Sequence, residues 1–120
     1  MVKDNTNKIF TELMDYMKDL YPKMYGGQVY NETKVKLPFI YFYQFDAPTA
    51  LDDLSNNEVG VKFAYQIEVY TDEGSNKARE IASAVREYMI SIGYKCRNFM
   101  PLQTTTNVKR FVGRYEKLEV

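Results

Sequence analysis

Residues 61–93 read VKFAYQIEVYTDEGSNKAREIASAVREYMISIG, and this stretch decides the fold. Val61, Phe63, Tyr65, Ile67 and Val69 alternate with Lys62, Ala64, Gln66, Glu68 and Tyr70. A period of two over this length predicts a strand over 61–71 with one buried face. Asp72, Glu73 and Gly74 break the alternation, and Ser75 or Asn76 can accept a backbone N–H as a helix N-cap. The two acids stand where the helix dipole favours carboxylates. Ala78, Ile81, Ala82, Val85, Met89 and Ile92 then recur at helical spacing, with Lys77, Arg79, Glu80, Arg86 and Glu87 on the other side. Gly93 can take the left-handed conformation that stops a helix. Each large apolar side chain of that stripe contributes roughly 1.5–3 kcal/mol on burial, before entropy is set against it. Ile81→Asp is therefore expected to unfold the chain.

Upstream, Asp4, Asn5 or Thr6 can cap a first helix whose face is Ile9, Phe10, Leu13, Met14, Met17 and Leu20. Pro22 stops it at Leu20 or Tyr21. Gly26-Gly27 reads as a turn, and Val29-Tyr30 as the start of a short strand. Pro38 leads into FIYFYQF (39–45), the most strand-prone run of the chain. It is apolar on both faces: Phe39, Tyr41, Tyr43 and Phe45 on one, Ile40 and Phe42 on the other. Such a strand is either central and covered on both sides, or its second face meets another subunit.

Between these strands, DAPTALDDLSNNEVG (46–60) carries four acids and no basic residue. It reads as a mobile acidic loop or hairpin, and a segment of this length in a compact domain is usually functional or disordered. Downstream, Tyr94–Phe99 reads as a strand ended or interrupted by Pro101, as suits an edge. Gln103–Asn107 is a polar turn. Val108–Val120 is a closing strand in which Gly113 marks a bulge or a close backbone approach. Two helices and four to five strands predict one α+β domain over residues 1–120. It consists of a single mixed, mostly antiparallel sheet with both helices on one face. The other sheet face is expected to expose Tyr and Phe, as interaction sites do.

Composition limits the chemistry. With 16 basic and 16 acidic residues the formal net charge is zero, which argues against a general nucleic-acid or membrane-surface binder. There is no His, so the commonest general base and metal ligand are missing. The single Cys96 makes neither an internal disulfide nor a cysteine zinc site. Asp52-Asp53 and Asp72-Glu73 are adjacent acids without a partner base, and no phosphate-loop pattern is present. No enzyme, cofactor, metal or small-molecule substrate is expected. Without a long apolar run or a signal-like N-terminus, a cytosol-like compartment is expected.

Charge is unevenly placed. Residues 44–60 contain Asp46, Asp52, Asp53 and Glu58 and no base, for −4, whereas residues 94–120 carry +4. Ordinary pairing inside the fold would use those charges. Otherwise the acidic loop of one subunit meets the basic C-terminal strand of the next, a head-to-tail contact that closes into a ring where the rotation allows. Asp46, Asp52, Asp53, Glu58, Lys109, Arg110 and Arg114 are the interface candidates, with the three bases at a subunit contact or facing a lumen.

The order of elements resembles a known family. An N-terminal helix precedes the LPFIYFYQF strand, then an acidic segment, a QIEVYTD strand end, the KAREIASAVREYMISIGY helix and a closing RFVGRYE strand. This is similar to the tail terminator, or tail completion, proteins of long-tailed bacteriophages and prophages, over nearly the whole chain. The resemblance implies a homo-oligomeric ring, commonly of six subunits, that caps the tail tube, ends its polymerisation and meets the head connector. It implies the tail tube protein and the connector protein as partners, DNA only as passing cargo, and no membrane. It implies a place at the tail–head junction of the virion after synthesis in the bacterial cytoplasm. The alternatives are another head–tail joining or minor structural protein, or a ferredoxin-like ligand- or nucleic-acid-binding module using Tyr41, Tyr43 and Phe63 as a stacking platform.

Overall fold

A computed structural model describes residues 5–30, 36–44, 49–52 and 58–119. The elements run α1 (Thr6–Leu20), β1 (Tyr25–Gly27), β2 (Phe39–Gln44), β3 (Thr49–Asp52), β4 (Glu58–Thr71), α2 (Ser75–Ser91), β5 (Lys95–Leu102) and β6 (Lys109–Glu119). The strands form one mixed sheet in the order β1-β2-β4-β6-β5, with β3 also pairing β4. Among the described residues only β1 and β2 are parallel, and every other pairing is antiparallel. Because β4 and β5 both run antiparallel to β6, they run parallel to each other with β6 between them. The strand–helix unit of residues 61–93 is thus the first part of a split β-α-β.

The alternation along β4 does what its pattern predicts on one side. Phe63, Tyr65, Ile67 and Val69 are all buried and join one core cluster. Ile40 and Phe42 of β2, and Phe111 and Tyr115 of β6, share their parity in the register and the same cluster. Both helices close this face. α1 contributes Ile9, Leu13, Met14 and Met17, and α2 contributes Ala78, Ile81, Ala82, Val85 and Met89. Ile92 packs against the edge of this core, whereas Leu20, expected on the α1 stripe, is 51% exposed.

Several local expectations change. The cap of α2 is Gly74, at φ 100°, and no side chain caps the helix. That backbone conformation is reserved for glycine, so the sharp exit from β4 takes the place of a Ser75 or Asn76 cap. Residues Gly26-Gly27 are not a turn but part of β1, and Val29-Tyr30 are not a strand. The reason is packing: a Cβ on Gly26 would stand 2.5 Å from the Met14 sulfur and 3.2 Å from the Ile40 carbonyl oxygen. The glycine lets α1 lie close on the sheet. At Gly113 the close neighbour is the Tyr115 side chain rather than another backbone, and the irregularity of this ladder lies in β5, between Cys96 and Asn98. Pro101 sits within β5, which pairs β6 alone. Its missing N–H costs nothing on an outer edge.

Part of the segment expected as a loop or hairpin is strand, in keeping with the hairpin alternative. Thr49–Asp52 pairs with Glu58–Lys62, so β2 and β3 lie end to end along one edge of β4. The 14 residues of β4 span about 46 Å at 3.3 Å per residue, close to the longest dimension of the molecule, 53 Å. At the β3 end the sheet narrows. β2 reaches back only to Tyr65, and β5 begins at Lys95, opposite Glu116. Among the described residues only β3, β4 and β6 continue past that level.

Candidate functional site

The sheet face away from the helices carries the expected aromatic rings, among them Tyr41, Tyr43 and Tyr70, but they surround a polar centre. A buried carboxylate organises it. Glu68, in the middle of β4, is 3% exposed. Its Oε1 accepts the Tyr70 hydroxyl at 2.9 Å and an ion pair from Arg110 Nη2. Its Oε2 accepts the Tyr43 hydroxyl and the Gln66 amide, both at 3.0 Å. Gln66 in turn accepts Arg114 Nε at 2.9 Å. The network ties β2, β4 and β6 together across the open face.

The register explains these partners. Tyr43 stands opposite Gln66, and Arg110 and Arg114 stand opposite Tyr70 and Gln66, so all six side chains share one face. Burial raises the Glu68 carboxyl, but the hydrogen bonds from Arg110, Tyr70 and Gln66 and the Arg110 charge outweigh it and hold the group below the ordinary glutamate value. Burial and the same carboxylate push the Tyr43 hydroxyl up to about 12. Tyr30 stacks on Tyr70 at 4.2 Å between ring centroids, and Tyr41 lies 4.5 Å from Tyr43. These rings, with the arginine stems, cover a face that no second layer covers among the described residues.

The interface candidates distribute as follows. Arg110 and Arg114 come together on the open face, engaged with Glu68 and Gln66. Lys109 has the opposite strand parity, in register with Thr71, and is not part of that group. Asp52 ends β3 in register with Glu58 of β4. Asp46 and Asp53 lie outside the described residues. The stacking platform loses a member, since Phe63 is 4% exposed within the core on the helix side, as its parity with Tyr65 requires. Sequence reasoning missed Gln66, Glu68 and Tyr70 as a connected polar network. Their signal was a Gln-x-Glu-x-Tyr run on the second face of a strand facing two arginines four residues apart, legible only once the register is known.

Cys96 is half-buried, and burial raises its thiol above the ordinary value despite the nearby Arg86, so the thiolate is disfavoured. Among the described residues, no group of three or more His, Cys, Asp or Glu is placed to hold a metal ion. Among the same residues, no helix is long and apolar enough to cross a membrane. Comparison with protein-family models and with curated proteins gives no match.

Proposed function

We propose that this chain is a structural subunit of a phage virion that assembles into a ring, caps the tail tube, ends its polymerisation and joins the tail to the head connector. It works by contact at the tail–head junction, without catalysis, and DNA is its passing cargo. The observation that carries the reading is the β3–β4 hairpin at the three-stranded end of the sheet. It has acids at Asp52 and Glu58 and no base until Lys62. The sequence from 45 to 61 carries four acids and no base, and a charged segment anchored at one end of a sheet suits contact with a partner.

Two further features support it. The chain order of helix, proline-led strand, acidic hairpin, strand–helix unit and closing strand is the order on which the resemblance to tail terminators rests. The Glu68 network ties β2, β4 and β6 together across the open face, which suits a part that must keep its shape under assembly. The ferredoxin-like alternative loses ground on topology. That fold repeats its β-α-β unit, whereas among the described residues α1 precedes every strand and only one split β-α-β is present.

Sedimentation with preformed tail tubes from the same genome tests the proposal. The chain is expected to pellet with the tubes and to saturate at a small, fixed number of copies per tube end. Binding in proportion to tube length, or no binding, would contradict it.

A further inference from the structure

The β5–β6 ladder breaks at a charged residue. Lys95 pairs with Glu116 and Cys96 with Tyr115, but Asn98 pairs with Arg114, so Arg97 is an extra residue in β5. In an unbroken ladder Arg97 would stand opposite Arg114, and like charges in opposed positions weaken a sheet. The bulge gives that place to Asn98 and re-aims Arg97, whose Nε donates to Glu116 Oε1. The other oxygen of this carboxylate holds Lys62 Nζ at 3.0 Å. Lys95, which is exposed, stands opposite Glu116 in the register. Three cations from β4 and β5 therefore gather around one carboxylate of β6.

These residues line a groove of 410 Å³ together with Gly93, Lys117 and Leu118. Lys117 donates to the Ile92 carbonyl oxygen and lies over the Tyr94 ring. With both Glu116 oxygens engaged, Lys62, Lys95 and Arg97 leave a formal surplus of two positive charges, on a chain whose net charge is zero. Leu118, at the same groove, is 46% exposed. Leu118 and Glu119 pair with β4, whereas β5 begins only at Lys95, opposite Glu116. Among the described residues this short end of β6 has no strand on its other side. A ligand there meets cations, an apolar side chain and the edge of a strand.

We infer that the groove at Lys62, Lys95, Arg97 and Leu118 is the docking site for an extended acidic peptide of a partner protein. The surplus positive charge selects acids and repels basic partners. The edge of β6 suits an added extended segment, which takes affinity from main-chain hydrogen bonds and specificity from the side chains beside it. Leu118 decides between polyanions: a peptide with apolar residues among its acids covers it, whereas a phosphate backbone leaves it in water. The inference does not rest on the proposed function, and it names a partner by chemistry rather than a contact between copies of this chain.

Fluorescence anisotropy of a labelled peptide EVEEVE with the full chain tests it; in extended form each face of that peptide carries both acids and valine. A dissociation constant below about 1 mM is expected at low salt, rising as salt is added. K95E/R97E is expected to weaken binding by roughly tenfold or more, since repulsion replaces attraction at two sites. K95E alone changes an exposed residue that makes no ion pair among the described residues, so it keeps the fold. It is expected to weaken binding by about threefold, with circular dichroism matching the wild type. The uncharged peptide QVQQVQ is expected to bind roughly tenfold more weakly or less. Absence of binding at about 1 mM peptide, folded variants that bind as the wild type does, or equal binding of QVQQVQ overturns the inference. So does a duplex oligonucleotide that binds more tightly than EVEEVE, or self-association of the chain that K95E abolishes. Absence of peptide binding by a chain that caps tubes removes this site alone. Peptide binding by a chain that leaves tubes uncapped removes the proposed function alone.

Discussion

Glu68→Gln is the most informative single change to the fold. The carboxylate has two oxygens and accepts four donors: Tyr70 and Arg110 on one, Tyr43 and Gln66 on the other. An amide keeps one accepting oxygen and turns the other position into a donor facing donors. Two hydrogen bonds are lost at a side chain that is 4% exposed. A lost hydrogen bond to a buried charged group costs about 1.5–3 kcal/mol. The loss is reduced because the Arg110 side chain is 35% exposed and rehydrates. The expected destabilisation is about 2–3 kcal/mol, or about 1–2 M in the urea midpoint at pH 7, read by far-ultraviolet circular dichroism. The pH dependence gives a second readout. The folded Glu68 carboxyl lies below its ordinary 4.5, so its contribution is complete above that value and is lost as pH falls through the lower folded value. The wild-type minus variant difference should therefore shrink in acid. A variant within about 0.5 kcal/mol of the wild type, or a difference unchanged from neutral to acid pH, would refute the network as a source of stability.

Other outcomes follow from the same packing. Gly74→Ala, at φ 100° with nothing within 4 Å of the added methyl, should cost about 1–2 kcal/mol of backbone strain alone; a neutral result would mean that α2 starts differently. Gly26→Val forces Met14 and the Ile40 carbonyl apart and should cost about 1–3 kcal/mol by overpacking, measured by the same urea titration. Ile81→Asp places a charge at a position with 0% exposure. It should exceed about 4 kcal/mol and abolish the cooperative transition. In alkaline titration followed at 295 nm, Tyr21 and Tyr43 should ionise only near 12, being held protonated by burial and by Glu80 and Glu68 respectively.

The fold was legible wherever one periodicity acted alone. The alternation in 61–71 and the stripe from Ala78 to Met89 give β4 and α2 with their buried faces, because one side of each element meets the core. The β1 glycines were not legible, because their role is set by Met14 on a distant helix and not by neighbours in sequence. The acidic segment left loop and hairpin both open, because Asp52 and Asn56-Asn57 signal a turn while the pairing of Thr49 to Lys62 depends on β4. The candidate site was half legible. The charge asymmetry between residues 44–60 and the C-terminal stretch is a sequence fact. Where the C-terminal cations go is decided by strand register, since Arg110 and Arg114 engage Glu68 and Gln66 while Lys95 and Arg97 line a groove with Glu116.

The central claim is that the chain ends tube growth by contact, and tube length measures that most directly. Tail tube subunits polymerised with and without the chain can be compared in electron micrographs. The account predicts shorter tubes of narrower length distribution, each carrying a ring-shaped cap at one end. Tubes of unchanged length without terminal density would contradict it.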